Sequence, residues 1–223
     1  MTRLPIEKAI PDIRQALLGG NRLVLVAPPG AGKTTRVPLA LMSEPWLAGR
    51  MIIMLEPRRL AARNAAARMA ALLGEKIGET VGYRIRAERA SSERTRILVV
   101  TEGILTRMLQ ADPELATAAL VIFDEFHERN LHADLSLAFS LQSQELLRPD
   151  LRLLVMSATL DAAGVSHLLD DAPVVASEGQ SFPVETVYLP DRAPLPDPGR
   201  ISEAVMRRLE RVLAEEPGSA LVF

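Results

Sequence analysis

Residues 23–35 read Leu-Val-Leu-Val-Ala-Pro-Pro-Gly-Ala-Gly-Lys-Thr-Thr. Four apolar, strand-forming residues lead into a turn rich in proline and glycine, which ends in a lysine and two threonines. Such a turn between a strand and a helix offers backbone N–H groups to phosphate oxygens, and its lysine reaches the β- and γ-phosphates. Only Ala27 departs from the strict pattern, which has glycine there. The stretch therefore predicts a phosphate-binding loop in an α/β domain.

A second motif follows another apolar strand-like run, at residues 120–123. It reads Asp124-Glu125-Phe126-His127, and carboxylates that leave a strand can hold Mg²⁺ and orient a water. Together the two motifs predict hydrolysis of a nucleoside triphosphate.

The two motifs also predict individual roles. Lys33 is expected at the β- and γ-phosphates, Thr34 and Asp124 at Mg²⁺, and Glu125 at the attacking water. His127 lies where a sensor of the γ-phosphate could be, with an ordinary surface histidine as the alternative. The cradle of backbone N–H groups is expected from Gly30, Ala31, Gly32, Lys33, Thr34 and Thr35.

Composition narrows the class of protein. The chain has 223 residues, 48% of them hydrophobic, with a net charge of −2 and no cysteine. This suits one large α/β domain, or one domain with part of another, and it excludes disulfides and thiolate metal sites. No apolar run approaches the roughly 18 residues that a membrane span needs, and residues 1–5 do not begin a signal peptide. We therefore expect a cytoplasmic protein that does not bind membranes.

Positive charge resides almost entirely on arginine, because only three of the 26 basic residues are lysines. Arginines cluster in residues 58–68 and again in residues 84–96. A few guanidinium forks can grip a phosphate backbone, since each binds phosphate bidentately. Solvated helix faces are the alternative interpretation.

Strand-like and helix-like stretches alternate along most of the chain. This alternation predicts a mostly parallel sheet with helices on both faces, and with ligands beyond the carboxyl ends of the strands. We predict strands at 22–27, 51–56, 81–86, 97–101, 120–124, 151–157 and 182–189. We predict helices at 33–42, 58–73, 102–110, 130–147 and 201–216.

The motifs resemble those of one family, in that family's order. Asp124-Glu125-Phe126-His127 resembles the DEAH motif of superfamily 2 helicases, with Phe126 in place of alanine. Pro57-Arg58-Arg59 resembles motif Ia, Thr101-Glu102-Gly103 resembles motif Ib, and Ser157-Ala158-Thr159 resembles motif III. With the opening Leu4-Pro5-Ile6 and the string from Glu56 to Arg63, the chain is most similar to bacterial HrpB-type DEAH-box RNA helicases.

The resemblance implies the first RecA-like P-loop NTPase domain of a two-domain motor that uses ATP and Mg²⁺. Residues 1–189 would form this domain, 190–199 a proline-rich linker or loop, and 200–223 the start of a second RecA-like domain of the same chain. That second domain supplies arginine fingers in the family, so we expect these 223 residues alone to hydrolyse ATP poorly.

The resemblance also implies residue roles. Single-stranded RNA would be held by its backbone and independently of its sequence. Arg68 would stack on the adenine base, and Ser157 and Thr159 would couple the nucleotide state to RNA. The RNA contacts would come from Arg58, Arg59, Arg86, Thr101 and Gly103.

Two alternatives stay open from the residues alone. Backbone contacts suit DNA as well as RNA unless a 2′-hydroxyl is read, so a DNA-directed translocase of the same superfamily is possible. A P-loop switch that binds a protein and no nucleic acid is the other.

Overall fold

A computed structural model of the chain describes residues 4–158, 162–178, 185–186, 188, 197–215 and 217–222. The chain divides into two compact units, Met1–Ser181 and Phe182–Phe223. The first unit contains both sequence motifs and all of the described strands. Among the described helices, none has the length and hydropathy of a membrane-spanning segment.

Eight strands of the first unit form one sheet in the order β4-β3-β5-β2-β6-β7-β1-β8. All neighbours are parallel except β3 and β4, which form an antiparallel hairpin at one edge. The strands are β1 (Arg22–Val26), β2 (Met51–Leu55), β3 (Val81–Ile85), β4 (Glu88–Ala90), β5 (Ile97–Val100), β6 (Ala118–Phe123), β7 (Arg152–Ser157) and β8 (Val174–Ala176). The helices are α1 (Ile10–Gly19), α2 (Lys33–Leu41), α3 (Arg59–Leu73), α4 (Glu102–Ala111), α5 (Leu131–Leu146), α6 (Ala162–Leu168) and, in the second unit, α7 (Ile201–Glu215).

The sheet is buried on both faces, because alternate residues of each central strand enter different cores. In β1, Leu23 and Leu25 pack with helices α1, α2 and α3, whereas Val24 packs on the opposite face with α4, α5 and α6. Successive side chains of a strand point to opposite faces, so a strand covered on both sides must be apolar throughout. The prediction of a mostly parallel sheet with helices on both faces is confirmed.

Four of the described strands and helices were not predicted: β4, β8, α1 and the seven-residue helix α6. Strands β4 and β8 have three residues each, which is too short for a recognisable alternation. Helix α1 has a visible signal, because Ile10, Ile13 and Leu17 are buried at helical spacing. Its Pro11 also lies at a position that helices tolerate at their start.

Because the strands that carry the motifs are parallel, all of the motifs lie at the carboxyl ends of the strands. The carboxyl ends of β1, β6 and β7 carry the phosphate loop, the DEFH segment and Ser157. The ends of β2, β5 and β3 carry Arg58, Thr101 and Arg86. The residues expected to bind nucleotide therefore lie next to those expected to bind RNA, all at the carboxyl ends of the strands.

The second unit contains helix α7, whose side chains are all exposed or partly exposed. The strand predicted at 182–189 falls largely outside the described residues. The predicted helix at 201–216 corresponds to α7. The division of the chain into residues 1–189, 190–199 and 200–223 stays a prediction.

Candidate nucleotide and nucleic-acid sites

The phosphate loop contains two glycines in the left-handed region. Gly30 has a φ of 78° and Gly32 a φ of 92°, values that residues with a Cβ rarely adopt. The amides of Gly30, Gly32, Lys33 and Thr34 donate a hydrogen bond to no described residue. Unpaired N–H groups at the start of α2, together with the helix dipole, form a site for an anion.

The remaining amides of the predicted cradle are used inside the loop. The Ala31 amide donates to the Pro28 carbonyl at 3.2 Å and the Thr35 amide to the Gly32 carbonyl at 3.3 Å. The backbone conformation of Ala27 shows why glycine is not needed at this position of the loop. Its φ is not positive, and its amide continues the strand by donating to the Ser157 carbonyl at 3.0 Å.

Two side-chain contacts join the phosphate loop to the acidic pair. The Lys33 ammonium donates to Glu125 Oε1 at 2.8 Å, and the Thr34 hydroxyl donates to Asp124 Oδ2 at 2.5 Å. Strands β1 and β6 are separated in the sheet only by β7, so their carboxyl ends lie close together. Residues of the two motifs are therefore in direct contact at the carboxyl ends of these strands.

Asp124 is suited to a cation. Its side chain is 1% exposed, and burial raises its pKa to about 6, against the opposing effect of the Thr34 hydroxyl and Lys33. No group of three or more acidic or histidine side chains among the described residues could hold a metal alone. Mg²⁺ commonly uses one or two carboxylates and takes its other ligands from phosphate and water. The Asp124 carboxylate and Thr34 hydroxyl fit this requirement.

The turn after β6 has an unusual backbone. Glu125 has a φ of 51° and Arg129 a φ of 41°, which costs a residue with a side chain on the order of 1–3 kcal/mol. Between them lies a single 3-10 turn, Phe126–Glu128, with Phe126 buried against Phe123. Strain of this kind persists where surrounding contacts fix it, and here those contacts hold Glu125 over Lys33.

His127 connects this turn to the end of β7. Its Nδ1 accepts a hydrogen bond from the Ala158 amide at 3.3 Å and lies 3.5 Å from Glu125 Oε2. Because Nδ1 is an acceptor, a neutral His127 carries its proton on Nε2. Ser157, which precedes Ala158, is buried, whereas Thr159 lies outside the described residues.

Sequence reasoning missed Glu56, a buried acid at the end of β2. Its side chain is 4% exposed. Burial raises its pKa to about 8, reinforced by Asp124, Glu125 and Glu128 and opposed by Arg58. The available signal was an acidic residue between an apolar strand and Pro57.

The residues expected at RNA lie at the ends of three adjacent strands. Arg58 is the exposed residue before α3, Thr101 is the residue before α4, and a Cβ on the exposed Gly103 would meet nothing within 4 Å. Arg86 lies in the turn of the β3–β4 hairpin, beside Ala87 with its φ of 63°. Arg58, Arg86 and Gly103 are exposed and Thr101 is partly exposed, so a nucleic-acid backbone can reach them.

The hairpin is tied to helix α3 by one carboxylate. Glu88 accepts hydrogen bonds from the Tyr83 hydroxyl and from the Arg63 guanidinium. Across the ladder, Arg84 and Arg89 are direct partners, and like charges so placed repel each other. A basic hairpin held in this way can present its arginines to phosphate.

Arg59 and Arg68 are both exposed on α3. Arg59 is the first residue of the helix, beside Arg58, and Arg68 lies more than two turns further along. No hydrogen bond or ion pair among the described residues joins Arg68 to the phosphate loop.

Comparison with protein families matches residues 7–168 to the family described as DEAD/DEAH box helicase. The chain belongs to the DEAD/DEAH box helicase family. This helicase domain is 53% identical over 223 residues to the ATP-dependent RNA helicase HrpB of Escherichia coli (strain K12), covering all of this chain and 27% of the relative.

A second relative is the probable ATP-dependent RNA helicase DHR2 of Saccharomyces cerevisiae (strain ATCC 204508 / S288c). It is 35% identical over 223 residues, which cover 99% of this helicase domain and 30% of the relative. The chain thus spans less than a third of the length of these curated relatives.

Solved structures show the same fold. The crystal structure of Escherichia coli DEAH/RHA helicase HrpB superimposes with a TM-score of 0.88 and 53% identity, over 97% of this helicase domain and 27% of that chain. A second crystal structure, of E. coli DExH-box NTPase HrpB, gives a TM-score of 0.80 at 52% identity, over 98% of this domain and 26% of that chain.

Proposed function

We propose that this domain binds ATP with Mg²⁺ and is the hydrolysing part of an RNA helicase that moves on single-stranded RNA. The observation that carries the proposal is the pair of contacts between Lys33 and Glu125 and between Thr34 and Asp124. They bring a cation, a hydroxyl and two carboxylates to the mouth of one anion-binding loop.

A nucleotide that enters the site must break the ion pair between Lys33 and Glu125. The triphosphate offers Lys33 a stronger anionic partner, and the loop amides of Gly30, Gly32 and Thr34 bind its oxygens. Glu125, released from Lys33, then has a carboxylate free to accept a hydrogen bond from water. We propose that it orients the attacking water.

Asp124 and Thr34 would hold Mg²⁺, which in phosphoryl transfer neutralises charge on the β- and γ-phosphate oxygens. His127 contacts both Glu125 and the Ala158 amide. A shift of Glu125 would therefore change the contacts at the end of β7. We propose that Ser157 and Thr159 carry that shift onward, and that Arg68 stacks on the adenine base.

The nucleotide site is tested by two substitutions with matched controls. Lys33→Ala is expected to weaken binding of a fluorescent ATP analogue, because the loop loses its cation. Glu125→Gln is expected to preserve binding and, in the natural full-length chain, to stop turnover. Lys76→Ala and Glu145→Gln change similar exposed groups elsewhere and should alter neither property. Unchanged turnover in Glu125→Gln would mean that another group orients the water.

The nucleic-acid site is tested on the natural full-length chain with an ATP analogue present. RNA affinity should fall sharply, and its salt dependence should weaken, when Arg58 and Arg86 are changed to Glu. Comparison of poly-rU with poly-dT as stimulators of ATP hydrolysis separates the RNA helicase from the DNA translocase. A wild-type protein that holds neither polymer at low salt would favour a switch that binds a protein.

A further inference from the structure

The acidic turn after β6 forms ion pairs with two basic side chains, one from the proposed nucleotide site and one from the proposed RNA site. Glu125 pairs with Lys33 of the phosphate loop at 2.8 Å. Three residues later, Glu128 pairs with Arg58, the arginine proposed to hold the RNA backbone. Each carboxylate thus occupies the place that a phosphate would take on its arginine or lysine.

The sheet dictates this second contact. Strands β2 and β6 are parallel neighbours, and the Asp124 amide donates to the Leu55 carbonyl at 3.0 Å at the end of their ladder. The two chains therefore leave the sheet side by side, which brings Arg58 next to Glu128. The Arg58 side chain remains 71% exposed in the pair and Glu128 30% exposed, so an external phosphate can reach the guanidinium.

The surroundings of Arg58 are acidic on more than one side. The hydrogen bond to Glu128 raises the pKa of Arg58 most, and the carboxylates of Glu56 and Glu125 raise it further. The turn that carries Glu128 is short, and the Glu128 amide donates a hydrogen bond to the Glu125 carbonyl at 3.0 Å. A displacement of Glu125 is therefore transmitted to Glu128 within the same turn.

We propose that Glu128 is a positioning residue that holds Arg58 away from RNA until nucleotide displaces Glu125 from Lys33. This inference rests on the proposed function, because it assigns a regulator to the proposed RNA contact. The linkage is reciprocal: RNA that captures Arg58 must favour the turn position in which ATP binds, by the same factor.

The test measures RNA affinity of the natural full-length chain with and without a non-hydrolysable ATP analogue. For Glu128→Gln we expect affinity without nucleotide to rise about two- to five-fold, the range that an exposed ion pair permits. With the analogue bound, Glu128→Gln and wild type should have equal affinity. Glu128→Asp should keep most of the wild-type difference between the two states.

Two controls separate this effect from simple removal of a negative charge. Glu145→Gln removes an equal charge from the ion pair with Arg22, at the amino-terminal end of β1. It should leave RNA affinity unchanged. In an Arg58→Gln background, adding Glu128→Gln should have no further effect, as a double-mutant cycle requires.

The outcomes distinguish the two proposals. If wild type binds RNA but Glu128→Gln has the same affinity, or a lower one, without nucleotide, Glu128 does not restrain Arg58 and this inference is wrong. If wild type does not bind RNA in either state, the proposed function itself fails.

Discussion

At the scale of single residues, the site depends on charges that the fold places out of water. Lys33 is buried with Glu125 as its partner, and Asp124 is buried with Thr34. Glu56 has no described hydrogen-bond donor at its side chain and is surrounded by three further carboxylates. Such a group favours its neutral form, because burial penalises the charged form.

Glu56 predicts a pH dependence of stability. Its pKa is raised from 4.5 to about 8 in the folded chain, so between these values the unfolded state binds fewer protons than the folded state. Stability must then fall as pH rises, by roughly 1 kcal/mol per pH unit. Glu56→Gln should flatten this slope in urea unfolding between pH 6.5 and 8, without nucleotide or Mg²⁺. This window lies above the pKa of Asp124, which is about 6.

The control for this experiment is Glu145→Gln, which changes an exposed carboxylate and should retain the wild-type slope. An undiminished slope in Glu56→Gln would show that a different group takes up the proton.

The two glycines of the phosphate loop predict different costs for alanine. Both have positive φ, but a Cβ on Gly30 meets nothing, whereas one on Gly32 would lie 2.6 Å from Leu4 Cδ1. Gly30→Ala should lower the free energy of unfolding by about 1–2 kcal/mol through backbone strain alone. Gly32→Ala should cost more, because Leu4 must also move. Chemical denaturation measures both, and equal costs would show that the Leu4 contact is unimportant.

At the scale of elements, the β3–β4 hairpin depends on one close approach. A Cβ on Gly82 would lie 2.5 Å from the Ala90 carbonyl oxygen, a backbone atom that cannot rotate away. The antiparallel pairing of Tyr83 with Ala90 requires this proximity. A glycine in a strand commonly marks such an approach.

Gly82→Ala is therefore expected to displace β4 and the arginines of the hairpin. We predict a loss of about 1–3 kcal/mol of stability and weaker RNA binding by the full-length chain, measured by denaturation and filter binding. Gly20→Ala is the matched control. Gly20 is also extended, and its Cβ would meet the Ala16 carbonyl at an ordinary 3.5 Å. If Gly82→Ala retains both properties, the hairpin tolerates a wider separation.

At the scale of the whole molecule, the chain corresponds to 27% of the length of one helicase relative and 30% of another. The family resemblance assigns arginine fingers to a second RecA-like domain. Such a finger contributes about 10³–10⁵ in rate to related phosphoryl-transfer enzymes.

We predict that residues 1–223 alone bind ATP but hydrolyse it slowly and without stimulation by RNA. Steady-state phosphate release compared with that of the natural full-length chain measures the difference, and Lys33→Ala gives the background. Robust RNA-stimulated turnover by the 223 residues would show that they contain every group that hydrolysis needs.

The sequence by itself determined the two motifs and the order of the central strands and helices, because these are encoded locally. The apolar run at 23–26 followed by the glycine-rich turn predicts a strand and a phosphate loop wherever it occurs. The alternation of strands and helices likewise required a parallel sheet covered on both faces. The approximate bounds of β1, β2, β5 and β7 were predictable for the same reason.

The tertiary structure alone decided which distant residues meet. Lys33 and Glu125 are 92 positions apart, and their contact depends on the strand order that separates β1 from β6 by a single strand. The pairing of Arg58 with Glu128 and the raised pKa of Glu56 arise in the same way. Both depend on neighbours and on burial, which are properties of the folded sheet and are not encoded in any short stretch of sequence.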